Sequence, residues 1–167
     1  SLSNFSTVSS TFYTATFTPS GDGATTIDVN ASTFTDAVGN GNSAASQFNW
    51  TYDGTAPTMT ISSSTVISGD SSNVNSIEFT FTSNELTQTF GFNDISVTGG
   101  SITWSELNMC SGTIGCTTYY ATFTSSDDGL KTINVNANTF TDNAGNNNVA
   151  ASEFSWTHDS TCLLYTS

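Results

Sequence analysis

The heptapeptide FTDAVGN at residues 34–40 returns as FTDNAGN at residues 140–146, 106 positions later. Aligned without a gap, residues 11–55 and 117–161 are identical at 29 of 45 positions. A fixed period of this kind marks a tandem array in which each period is one structural unit. Whatever one copy folds into must also suit the other, so the repeat constrains this chain more than any single motif. Upstream of the aligned blocks, SLSNFSTVSS corresponds to SITWSELNMCSGTIGC, which carries six additional residues. One full unit is therefore expected from Ala56 to Thr161, while residues 1–55 match only the C-terminal half of such a unit. On this reading the chain is a fragment, and the half-unit alone, lacking three strands, is expected to expose unpaired edges and fold poorly.

Within the full unit, apolar residues recur with period 2. Met59 and Ile61 share a face, as do Ile77, Phe79 and Phe81, then Ile95 and Val97, then Ile102 and Trp104. Tyr119, Ala121 and Phe123 follow, then Ile133, Val135 and Ala137, and finally Phe154 and Trp156. Thr, Ser, Asn or Glu fill most alternate positions. Composition agrees, since only 9% of residues are charged and 12% are aromatic, a balance of strand and turn formers. Seven short strands with turn signals between them predict an all-β fold, tandem immunoglobulin-like sandwiches of two antiparallel sheets.

The runs GFNDISVTGGSITW, TFTDNAGN and YDGTAPTMTI carry a resemblance to bacterial Ig-like repeats, the tandem domains of large secreted and cell-surface proteins, adhesins among them. The resemblance extends over the chain as far as Thr161 and specifies the domain type rather than the biological task. It implies stalk domains that hold a binding tip away from the cell, some of which bind calcium near their linkers.

Charge narrows the partners. Fourteen carboxylates face a single cation, Lys131, giving a formal net charge of −13. Nucleic acid requires Lys and Arg to displace counterions from phosphate, so that class is excluded. An anionic membrane surface repels such a chain, and no apolar run is long enough for insertion. Metal cations remain attractive partners.

After Thr161 the pattern breaks. Where the first copy reads DGTAPT, the second reads DSTCLLYTS. CLLYTS is also the translation of a sequence resembling the end of a transposase-based sequencing adapter, so residues 162–167 are expected to be an artefact, the alternative being a divergent C-terminus. Without Cys162, Cys110 and Cys116 remain, flanking a five-residue loop in the insertion. They suit a local disulfide closing a hairpin tip in an extracellular setting, with two thiols as the alternative.

The carboxylates gather at predicted domain ends. Sandwich topology places the loop after the second strand, with Glu85, beside the loop before the last strand, with Asp142 and Asn146, and brings Asp94 near. The incoming linker adds Asp53, and the preceding repeat its GDG turn with Asp22. By repetition, Asp128 and Asp159 face a following domain. Six to eight oxygen donors suit Ca²⁺, and such a junction supplies them. The competing reading is that Asp and Asn simply tie down turns.

Enzymatic chemistry finds little footing. The single histidine, His158, is replaced by Tyr52 in the other copy and reads as a partly buried linker residue. Without a second histidine no Ser–His or Cys–His pair can be assembled twice. The sequence therefore points to a non-catalytic structural or adhesive repeat, an extracellular spacer whose neighbours are repeats of the same chain. The alternative is a module recognising a glycan or other cell-surface ligand through Phe12, Phe90, Phe92 or Tyr120.

Overall fold

The computed structural model describes residues 1–105 and 115–162. The chain forms two compact units, Ser1–Thr55 and Ala56–Ser167. The first holds β1 (Leu2–Ser9), β2 (Phe12–Phe17), β3 (Gly23–Ile27) and β4 (Phe48–Tyr52). In it β1 pairs with β2, and β3 with β4, both antiparallel.

The second unit holds β5 (Met59–Ser62), β6 (Ser71–Ser72), β7 (Ser76–Thr87), β8 (Ile95–Thr98), β9 (Gly100–Trp104), β10 (Cys116–Ser125), β11 (Gly129–Val135) and β12 (Phe154–His158). Two four-stranded sheets result, ordered β5-β7-β10-β9 and β6-β12-β11-β8. Neighbours are antiparallel throughout, except that β6 lies parallel to β12. This is the two-sheet Ig-like sandwich that the alternation predicts.

The inward phase of each strand forms the core. Ile77, Phe79 and Phe81 of β7 and Tyr119, Ala121 and Phe123 of β10 are buried, as are Ile133, Val135, Phe154 and Trp156 of the opposite sheet. Phe79 meets Phe154 edge-on at 5.1 Å and Trp156 at 5.3 Å, and Phe123 meets Trp156 edge-on at 4.8 Å. Each such ring contributes about 2–3 kcal/mol by burial, and an edge-to-face contact adds about 1 kcal/mol.

Several expectations need correction. Among the described residues of the second unit eight strands form rather than seven, because the two serines of β6 pair through main chain and leave no apolar pattern. Glu85 lies on β7, not in a loop. The inward phase continues past Phe81 through buried Ser83 and Thr87, whose hydroxyl is 2.6 Å from that of Tyr119. Ala137 is exposed beyond the end of β11. Phe90 is a core residue packed on Phe81, Trp104, Tyr119 and Phe140, so it offers no surface to a glycan. Phe12 and Phe92 are exposed and Tyr120 is half-buried. His158 ends β12 and is buried rather than lying in the linker.

Lys131 is buried as well. Its stem crosses Gly99, where an added Cβ would lie 2.6 Å from Lys131 Cδ, and its Nζ donates to exposed Asp127 at 2.6 Å. A buried stem with its charge brought to a surface carboxylate is how such a residue survives in a core. The ammonium beside it holds the Asp127 carboxyl below its ordinary value.

The first unit repeats the pairings of β9–β12 without their cover. Phe48 is 63% exposed where Phe154 is 7%, and Phe34 is 62% exposed where Phe140 is 2%. Tyr13 is 51% exposed and Tyr119 7%.

Candidate functional site

The loop joining β11 to β12 is organised by two buried polar side chains. Asp142 Oδ1 accepts the N–H groups of Ala144, Gly145 and Asn146 at 2.7–2.9 Å, while Oδ2 accepts Asn146 Nδ2 at 2.8 Å. Gly145, at φ +94, supplies the left-handed step of this turn, which a side chain would oppose. Burial pushes the Asp142 carboxyl up, and the hydrogen bonds from Asn146, Gly145 and Ala144 outweigh it, holding the group below 3.8. Asn148 closes the base of the loop. Its Oδ1 accepts from Thr139 and Phe140 N–H, and its Nδ2 donates to the Asn136 and Val149 carbonyls. Two main-chain N–H groups, that of Phe140 buried, and two carbonyls thereby gain a partner.

The same loop is stapled to the end of β7. Thr87 and Asp142 form an antiparallel bridge, and Thr141 N–H donates to Thr89 Oγ1 at 2.8 Å. Glu85 thus comes to the same end of the unit, with one carboxylate oxygen within 4.8 Å of one from Asp142. Of the residues proposed for calcium, these two, with Asn146 bonded to Asp142, are brought together within the second unit. Asp94 is occupied by its own turn, accepting Gly91 N–H at 2.7 Å, and burial raises its pKa against that bond.

The other end of each unit carries a linker clamp. Asp128 precedes β11, and its carboxylate accepts Ser160 N–H at 2.9 Å, Ser160 Oγ at 2.7 Å and Thr161 Oγ1 at 2.8 Å. The Ser160 N–H, then the Ser160 and Thr161 hydroxyls, lower its pKa from 3.8 to about 2. Asp22 does the same in the first unit, accepting Gly54 N–H at 2.7 Å and the Thr55 hydroxyl, which hold its pKa down, the hydroxyl foremost. Asp53 and Asp159 complete the motif by accepting Thr55 and Thr161 N–H at 3.1 and 2.9 Å. A carboxylate two residues before the last threonine and another in the turn ahead of the penultimate strand thus hold each outgoing linker against its own domain. Asp22, Asp128 and Asp159, expected as metal ligands, bond to linker donors.

Cys116 opens β10 and is disulfide-bonded; Cys110 lies outside the described residues, as do residues 163–167 of the expected artefact. His158 faces the Ser72 carbonyl at 3.2 Å and Asp128 at 3.8 Å. Asn148 and Lys131 are the polar residues that sequence reasoning missed. For Asn148 a signal existed, because Asn42 repeats it within an identical G-N-x-N frame.

Among the described residues, no helix is long and apolar enough to cross a membrane. Comparison with curated proteins and with solved structures gives no match. The family model described as "Bacterial Ig-like domain" matches twice in succession, over residues 1–52 and 53–157. With that match over a chain that folds as an Ig-like sandwich and repeats its own turns, the protein belongs to the bacterial Ig-like domain family.

Proposed function

We propose that the chain is a non-catalytic spacer from an extracellular or cell-surface array, and that its first partners are neighbouring repeats of the same kind. The observation that carries this reading is the linker clamp, present in both units at Asp22 with Gly54 and Thr55, and at Asp128 with Ser160 and Thr161. A flexible linker lets successive domains wander. Tying the second and third residues after the last strand back to the domain fixes the direction of departure, which is the property a strut requires.

Calcium enters the proposal at the opposite end. Glu85 and Asp142 supply hard oxygen donors within 4.8 Å of each other, chemistry that fits Ca²⁺. Asn146 and the linker residue Asp53 are the further donors the sequence offers. An ion held only by the ordered end of a repeat stabilises that end by linkage.

Two joined copies of residues 56–161 test both parts through thermal unfolding and small-angle scattering, with millimolar Ca²⁺ and with chelator. An extended particle, longer and with a higher Tm in Ca²⁺, is the expected result. An extended particle that ignores Ca²⁺ would remove the ion and keep the spacer. A flexible or collapsed particle in both conditions would remove the spacer.

A further inference from the structure

The two copies of the Asp-x-x-Gly-Asn turn are built alike and differ at the residue that follows. Asp36 Oδ1 accepts Val38 and Asn40 N–H at 3.0 and 2.8 Å, and Oδ2 accepts Asn40 Nδ2 at 2.8 Å. Asp142 holds Ala144 N–H, Asn146 N–H and Asn146 Nδ2 at 2.8, 2.9 and 2.8 Å. After the asparagine comes Gly41 in the first copy and Asn147 in the second. Asn40-Gly41 is the one Asn-Gly step in the chain. The turn faces water in both units, since Asn40 and Gly41 are exposed and so are Asn143, Ala144, Gly145 and Asn147 of the covered sandwich. Access to the turn therefore does not depend on what covers the core.

Main-chain pairing leaves the Gly41 nitrogen out of the ladder. Thr35 and Gly41 face each other as an antiparallel pair. The flanking bonds run from Asp36 N–H to the Asn40 carbonyl and from Asn42 N–H to the Phe34 carbonyl, each at 3.0 Å. In that arrangement the two facing residues exchange no hydrogen bond with each other. Gly41 also has no Cβ to hinder rotation of its backbone. A bond from Gly41 N to Asn40 Cγ closes a five-membered ring, and a glycine nitrogen reaches that geometry with the least obstruction.

We propose that Asn40 is a site of spontaneous modification, in which the Gly41 nitrogen attacks the Asn40 carboxamide and the product opens the turn that Asp36 closes. The nitrogen gives its proton to solvent base, and its lone pair forms the N–Cγ bond. The Cγ–Nδ2 bond breaks, and Nδ2 leaves as ammonia with a proton from water. Water then opens the cyclic imide, giving aspartate when it adds at Cγ and isoaspartate when it adds at the main-chain carbon. The sum exchanges ammonia for water with no change in oxidation state. Either product removes the Nδ2 donor, which is the foremost of the groups holding the Asp36 carboxyl below its ordinary value. Aspartate sets a second carboxylate against the first, a pairing that like charge disfavours. Isoaspartate adds a methylene to the main chain just ahead of Asn42, whose side chain closes the loop. The inference rests on neither calcium nor location.

The test keeps the intact chain in warm, mildly alkaline buffer made with heavy-oxygen water, and follows it by peptide mass mapping and hydrogen exchange. The expected result is gain of one labelled oxygen in place of nitrogen at position 40, split between two isobaric peptides. Its rate should rise with pH, because the attacking nitrogen must lose its proton, and exceed that at Asn146 at least about tenfold. Asp36 and Asp142 hold their asparagines alike, so their influence on the rate is common to both turns. Gly41→Asn installs the residue of the second copy, and an added Cβ there meets only Ser32, nearest its Oγ at 3.2 Å. This variant should convert at least about tenfold more slowly. In converted chains the Val38 amide should exchange at least about tenfold faster, while that of Ala144 stays unchanged. No conversion at Asn40 would overturn the proposal, as would equal conversion at Asn146 or an undiminished rate in Gly41→Asn. Conversion with unchanged exchange at Val38 would overturn the opening of the turn.

Discussion

Asn42 and Asn148 make the same four hydrogen bonds, the first in contact with water and the second in the interior. Asp36 and Asp142 likewise gather the N–H groups of the same kind of turn. The turns, the hairpin register and the linker clamps thus form identically in both units. What differs is the interior, because Phe34 and Phe48 remain exposed while Phe140 and Phe154 are covered. Short-range chemistry, in which every partner lies a few residues away, needs only the C-terminal half-repeat. The core needs β5–β8 as well.

The largest effect should come from removing a core ring. Phe154→Ala should cost the second unit about 3–4 kcal/mol, because the cavity opens against Phe79 and Trp156. Phe48→Ala, at the matching exposed position, should change stability by no more than about 0.5 kcal/mol. Urea unfolding of the two variants reads the contrast. Equal costs would mean that the first unit has a closed core.

Next comes the loop asparagine. Asn148→Ala leaves the Thr139 and Phe140 N–H groups and the Val149 carbonyl without this partner, while the Asn136 carbonyl keeps the Thr139 hydroxyl, for an expected loss of about 2–3 kcal/mol. At Asn42 water can replace the amide, and the loss should stay under about 1 kcal/mol. The same unfolding curves decide it.

Glycine substitutions should erase the contrast. Gly39 and Gly145 have φ of +93 and +94, and an added Cβ at either meets nothing within 4 Å. The penalty is local backbone strain of about 1–2 kcal/mol in both copies. Gly39→Ala and Gly145→Ala should therefore speed exchange of the Asn40 and Asn146 amides by similar factors. A much larger effect at Gly145 would show that its turn is governed by the core.

The smallest effect concerns acid. The Asp128 carboxyl is lowered from 3.8 to about 2 by its linker donors. A group whose pKa falls on folding contributes stability that is fully present above the ordinary value and is lost as pH drops through the folded one. The clamp should accordingly hold at pH 5 and release between about pH 4 and 2. Asp22 shifts in the same direction, so the clamp of the first unit should release at low pH as well. NMR titration of the Ser160 and Gly54 amides follows both; release of either near pH 5 would contradict the hydrogen-bonded geometry.

Much of this was legible in the sequence, and the remainder failed for identifiable reasons. Alternation found the long apolar strands, and the repeat located the turns. The serines of β6 gave no signal because their pairing is through main chain. Glu85 read as part of the loop after the second strand, although β7 continues through it to Thr87, whose hydroxyl pairs with that of Tyr119 in place of an apolar contact. Phe90 and Phe140 are single rings in loop-like runs, buried by tertiary contact with each other. Lys131 entered the sequence reading only as the single cation, and the glycine beneath it reveals space for its stem. At the candidate site the carboxylates were found, but composition could not separate those facing a linker from those facing one another. That assignment depends on which strand end each occupies.

Hydrogen exchange on the intact chain tests most directly the claim that the half-repeats share local structure and differ in their interior. Amides of residues 129–133 and 154–158 can be compared with register-matched amides of residues 23–27 and 48–52. Exchange in the second unit is expected to be at least about 100-fold slower, since its hydrogen bonds open only with the sandwich. Equal protection in the two sets would contradict the account, because the first unit would then be stable without β5–β8.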